Sequence, residues 1–151
     1  MAKQMIKGLT MLLLVVALSL VTAVVSANGQ SSKRQIANIP FTFVVGDNEL
    51  SAGKYSVEPA TSTGDALKIT GTENGTAMFR MSSQLDSREP AEKGKLVFHR
   101  YGNQYFLAEV WTAGERRGRK VTKSKGEKAI EREYTAIRSR SERVEIALGR
   151  Q

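Results

Sequence analysis

The chain has 151 residues, no cysteine, a single histidine and a formal net charge of +8. Those numbers exclude a disulfide framework, a thiolate nucleophile, a cysteine metal site and any centre built on two histidines. They direct attention to anionic partners and to a fold held by packing alone.

The amino terminus carries Lys3 and Lys7, then a weakly polar to apolar run from Leu9 to Val25, then the small-residue triplet Val25-Ser26-Ala27. Positive, apolar and small in that order is the pattern of a secretory signal peptide, residues 1–27, cleaved after Ala27. The run is 17 residues long, so an uncleaved amino-terminal membrane anchor is the rival reading. Residues 28–35 are polar and read as a flexible leader. The 124 residues after Ala27 suffice for one domain with a real core. Export places that domain in the periplasm or outside the cell, and it disfavours nucleic acid as a partner.

Alternation begins at Ile39, Phe41, Phe43 and Val45, which predicts a strand with Pro40 near its start. Tyr55 and Val57 mark a second strand, ended by Pro59. Leu67 and Ile69, then Ala77, Phe79 and Met81, predict a hairpin around Gly71 to Gly75. Asn74-Gly75-Thr76 matches a glycosylation acceptor, but Asn-Gly is also a preferred tight-turn pair, and the turn is the stronger reading. Ser82 to Gly94 reads as a surface loop. Lys95 to Tyr101 and Gln104 to Trp111 flank Gly102-Asn103 and predict a tight hairpin pairing Tyr101 with Gln104, Arg100 with Tyr105, His99 with Phe106 and Phe98 with Leu107. Strict alternation then groups Val97, His99, Phe106, Ala108 and Val110 on one face, and Leu96, Phe98, Tyr105, Leu107 and Trp111 on the other.

Charge divides the chain after residue 114. Residues 28–114 hold nine basic and nine acidic side chains, and residues 115–151 hold twelve basic and six acidic. A basic run, Arg116, Arg117, Arg119, Lys120, Lys123 and Lys125, is the candidate anion-binding segment; a solvated loop is its plainer reading. Ala129, Ile130, Tyr134 and Ile137 follow at helical spacing and predict an amphipathic helix. Val144, Ile146 and Leu148 fit a last strand or a helical continuation, so residues 141–149 stay open. The expectation is a mainly β protein, an antiparallel sandwich or partly closed barrel of six or seven strands over residues 36–114. The basic segment, residues 115–151, packs its helix on that body.

No catalytic constellation, cofactor motif or metal-ligand spacing is recognisable. His99 is a packing residue on the plainer reading; on the alternative it serves a secreted enzyme of unrecognised class together with a nearby carboxylate such as Glu109. Glu131 with Glu133 and Glu89 with Glu92 read as solvated charge rather than acid and base for sugar cleavage. Phe98, Tyr101, Tyr105, Phe106 and Trp111 read as core rather than a stacking platform.

Two patches, Ile39-Pro40-Phe41 through Tyr55 and Lys95 through Gly114, resemble a group of small exported bacterial proteins. The resemblance implies an exported β-rich domain and transfers no catalytic or binding residue. The expected function is therefore a non-enzymatic envelope or secreted binding module that contacts an anionic envelope polymer or lipid surface.

Overall fold

The computed structural model describes residues 34–149, and the expected signal segment lies outside the described residues. The described chain is mainly β, with ten strands and one helix. In chain order these are β1 (Gln35–Ile39), β2 (Phe43–Val45), β3 (Asn48–Leu50), β4 (Gly53–Pro59), β5 (Ala66–Gly71), β6 (Ala77–Asp86), β7 (Lys95–Tyr101), β8 (Gln104–Trp111), β9 (Arg117–Val121), α1 (Lys125–Ala136) and β10 (Glu142–Ala147).

The strands form one sheet in the order β1-β4-β5-β6-β9-β8-β2-β3, with β7 between β8 and β10. β6 is the shared member. Its first half pairs with β5 and its second half, Ser82 to Asp86, pairs with β9. The sheet is not closed by a ladder, but Ile36 and Gly149 form an antiparallel bridge that brings the first and last strands together.

Alternation decides what is buried. Ala37, Ile39, Phe43, Val45, Tyr55, Val57, Leu67, Ile69, Leu96, Phe98, Leu107, Val110 and Val121 make the core. Phe43 meets Tyr55 and Phe98 edge-on, with ring centroids 5.0 and 5.5 Å apart. Val144, Ile146 and Leu148 pack on this core from β10 and the residue after it, which makes 142–147 a strand rather than a helical continuation.

The described strands number ten rather than six or seven, and four further expectations change. Proline lacks an N–H and fixes φ, so Pro40 ends β1 instead of opening a single strand, and the alternation resumes in β2. β6 runs on to Asp86 because β9 supplies a second partner, which shortens the loop to residues 87–94. The basic run contains a strand, β9, rather than a plain loop; Gly118 and Val121 are its buried members, and a glycine hides the alternation. Finally, the β7–β8 hairpin has the four predicted pairs but then bulges, with Val97 opposite Glu109 and Phe98 opposite Leu107. Ala108 is the extra residue. Beyond a bulge the facing reverses, so Val110 joins Leu96 and Phe98 in the core, while Glu109 and Trp111 share the face of Val97 and His99.

Candidate functional site

The bulged face of β7, β8 and β10 carries a row of paired charges. Near its middle, Glu109 accepts three hydrogen bonds: from Arg143 Nη1 and Nη2 at 3.0 Å each, and from Trp111 Nε1 at 2.7 Å. Arg143 Nε also donates to Glu145 at 3.1 Å, and Glu145 accepts from Lys95 Nζ at 2.9 Å. Burial pushes the Glu109 carboxyl upward, but the bonds from Arg143 and Trp111 outweigh it and hold the group below its ordinary value. Beside this row, under residues 87–94, lies an open cleft of about 530 Å³ lined by Glu89, Glu92, Lys95, Trp111 and Arg143. Its two strand-borne cations, Lys95 and Arg143, are already paired.

At the other end of the same face α1 lies against β7. Glu127, in the first turn of the helix, is almost fully buried, with 4% of its side chain exposed, and its Oε1 stands 3.2 Å from His99 Nδ1. His99 therefore has a carboxylate partner, but it is Glu127 rather than Glu109. Ser124 caps the helix, its Oγ accepting from the Glu127 N–H at 3.1 Å. Ser124-Lys125-Gly126-Glu127 is a Ser-x-x-Glu sequence in which the hydroxyl caps the backbone and the glutamate turns to the sheet instead of back to the cap. That spacing is the signal by which Glu127 could have been found.

Lys123 donates to Glu131, a second tie between the strand-to-helix connection and α1. Tyr101 packs edge-on against Tyr134, with centroids 5.3 Å apart. Its hydroxyl is buried. Burial raises the Tyr101 pKa; Lys123 and Ser141 oppose this, while Glu127 and Glu131 add to it. A His-Glu pair can hold and move a proton, but here the helix that supplies the carboxylate also lies over the imidazole, whose side chain is 22% exposed. The arrangement fastens α1 to the sheet. Among the described residues no three metal-ligating side chains cluster.

The sheet-facing side of α1 differs from its expected stripe. Glu127 is buried, and Ile130, Glu131 and Tyr134 are half-buried, whereas Ala129 is exposed and Ile137 is 73% exposed at the carboxyl-terminal cap. The stripe is displaced because His99 and Lys123 receive carboxylates that a hydrophobic reading counts as outward.

The six basic residues of the candidate anion site do not form one surface. Arg117 pairs with Asp86 at 3.7 Å, Arg119 donates to the Thr63 carbonyl and Lys123 is held by Glu131. By strand alternation Lys120 points to the opposite side of the sheet from Arg117 and Arg119. Arg116, Lys120 and Lys125 are exposed and have no ion-pair partner among the described residues.

Beyond Lys125 the exposed cations continue along the helix as Lys128 and Arg132, at i, i+3 and i+7 on the side turned away from Glu127 and Tyr134. Phe98, Tyr101, Tyr105, Phe106 and Trp111, the possible stacking platform, are packed within the protein. Phe98 is fully buried, Tyr105 stacks on Phe41 at 4.0 Å, and Trp111 lies over Gly118. Asn74 accepts from the Thr76 N–H at 3.0 Å, and Gly75 adopts φ 65°, so the pair makes a turn. No family model, curated protein or solved structure matches the chain.

Proposed function

We propose that the protein is an exported, non-enzymatic binding module that holds an anionic envelope polymer or lipid surface against the outward face of α1. One observation carries the reading. The helix has Lys125 and Lys128 in and just beyond its first turn, and no basic residue in its last turn. That is the reverse of what the helix dipole favours, and Lys128 and Arg132 add a like-charge pair at i, i+4. Each costs the helix a few tenths of a kcal/mol, so stability does not account for them. A contact with negative charge does.

The rest of the design serves that contact. His99 with Glu127, the Ser124 cap and Lys123 with Glu131 fix the helix on the sheet, so its cations are presented without much loss of freedom on binding. A partly closed barrel, with the Ile36–Gly149 bridge near its seam, provides the rigid body behind the helix. The amino-terminal order of positive, apolar and small residues supports export, as does the resemblance to small exported bacterial proteins.

The test is binding of the purified protein to anionic vesicles and to cell-wall polymer across a salt series. The expected result is an association that weakens with salt and drops about 100-fold when Lys125, Lys128 and Arg132 are all replaced by Ser, at about 1 kcal/mol per basic residue near an anionic surface. Replacing Arg116, Arg117, Arg119 and Lys120 by Ser should cost less, because Arg117 and Arg119 are already engaged. Association untouched by the helix substitutions overturns the proposal.

A further inference from the structure

The first half of β6 is an open edge with exposed apolar side chains. Among the described residues, Ala77 to Met81 pairs with β5 on one side only, because β9 pairs with β6 from Ser82 onward. Bonds from the Gly71 N–H to the Thr76 carbonyl and from the Ser82 N–H to the Asp65 carbonyl show that even-numbered residues of this stretch turn their backbone groups toward β5. The N–H and C=O groups of Ala77 and Phe79 therefore face the open side. Met81 faces it too, and its carbonyl is capped by the Thr122 N–H at 3.0 Å.

Phe79 is 64% exposed and Met81 59%, on the face away from the core. The strand is nevertheless firmly set. Met78 packs on the core from the opposite face, and Arg80 Nε donates to the Thr122 carbonyl at 3.1 Å with its guanidinium over Gly46. Edge strands in natural proteins are guarded by an outward lysine, a proline or a bulge. Ala77 to Met81 has none of these, since its one cation, Arg80, is drawn to Thr122.

We infer that this edge pairs with the same edge of a second copy of the chain, giving a two-fold dimer with Met78 on the axis. Antiparallel pairing about Met78 places Ala77 opposite the partner's Phe79 and the reverse, so each small residue makes room for a ring. Both are hydrogen-bonding positions on the open edge, and together they supply four backbone bonds. Arg80 falls opposite a threonine, so no like charges meet, and the partner strand turns away before it reaches the Thr122 cap. The two rings lie diagonally across the seam, within reach of each other. An edge that complements itself in charge, size and hydrogen bonding under one rotation favours a second copy over an unrelated strand. The apolar area is small, so the dimer is weak and reversible rather than obligate.

Sedimentation equilibrium of the purified protein over a wide concentration range reads the association directly. The expected result is a monomer-dimer equilibrium weakened at least about 10-fold by Phe79→Lys, a change at an exposed side chain that leaves the circular dichroism spectrum intact. The chain has no cysteine of its own, so Met78→Cys should cross-link to itself on mild oxidation, whereas Thr70→Cys, one strand inward, should not. A protein that stays monomeric throughout overturns the inference. So does a dimer that persists in Phe79→Lys and fails to cross-link through residue 78.

Discussion

Replacing Glu109 by Gln separates the ionic row from the packing around it. The carboxylate is 13% exposed and is held by two bonds from the Arg143 guanidinium and one from the Trp111 indole. Glutamine preserves the shape and one acceptor but turns an NH2 group toward a donor, so at least one charge-assisted bond is lost. Such a bond contributes about 1.5 to 3 kcal/mol when buried. Arg143 is 47% exposed, which brings the expected loss down to about 1 to 2 kcal/mol. For a domain of this size that is a fall in melting temperature of about 4 to 8 °C.

The pH dependence carries the sharper test. The folded-state pKa of Glu109 is depressed, so its stabilisation is complete above the ordinary carboxylate pKa and is lost as pH falls through the folded value. Glutamine does not titrate. The gap between wild type and Glu109→Gln, measured by urea unfolding at about pH 7, about pH 5 and about pH 3, should hold over the first interval and narrow over the second. Glu131 and Glu145 are also depressed, each first of all by a hydrogen-bonded lysine, and they weaken both proteins in acid alike. A gap below about 0.3 kcal/mol at neutral pH, or one that does not change with pH, would mean that the Glu109 carboxylate does not hold this row together.

Gly118→Ala would place a Cβ 2.7 Å from the Trp111 ring; we expect a loss of about 1 to 3 kcal/mol and a red shift in the fluorescence of the only tryptophan. Ser124→Ala removes the α1 cap and should cost about 1 kcal/mol, read as faster amide exchange in the first turn of the helix. Arg138 sits at φ 56° after the helix, where the Ser139 N–H reaches the Tyr134 carbonyl and the Arg138 N–H the Thr135 carbonyl. Glycine suits that left-handed position, so Arg138→Gly should raise stability by about 0.5 to 1 kcal/mol in thermal unfolding.

The class of fold and the β7–β8 register were legible because alternation and a Gly-Asn turn are local signals. What followed the bulge was not. A single extra residue at Ala108 leaves no mark in composition, yet it exchanges the faces of Glu109, Val110 and Trp111. β9 was hidden for a different reason, since Gly118 is buried without a side chain to show it and Arg119 lies along the rim toward Thr63. His99 was singled out by being the only histidine, but its partner sits 28 residues away on a helix face that a polar-outward rule assigns to solvent. Charge counting located the basic segment without revealing which cations are occupied. Only the ladder and the ion pairs divide Arg117, Arg119 and Lys123 from Lys125, Lys128 and Arg132.

The bridge between Ile36 and Gly149 bears on the timing of synthesis. β7, whose Leu96, Val97 and Phe98 are fully buried, lies between β8 and β10, and β10 with Gly149 is made after both. At ordinary elongation rates the stretch from Tyr101 to Gly149 takes about 2 to 10 s to emerge. During that interval one flank of the most buried strand has no partner, and the first strand has nothing to meet at its outer edge. A nascent chain cannot lock itself into the finished body ahead of β10 and Gly149. Until Gly149 has been made, the body lacks both the outer partner of its most buried strand and the bridge at its seam.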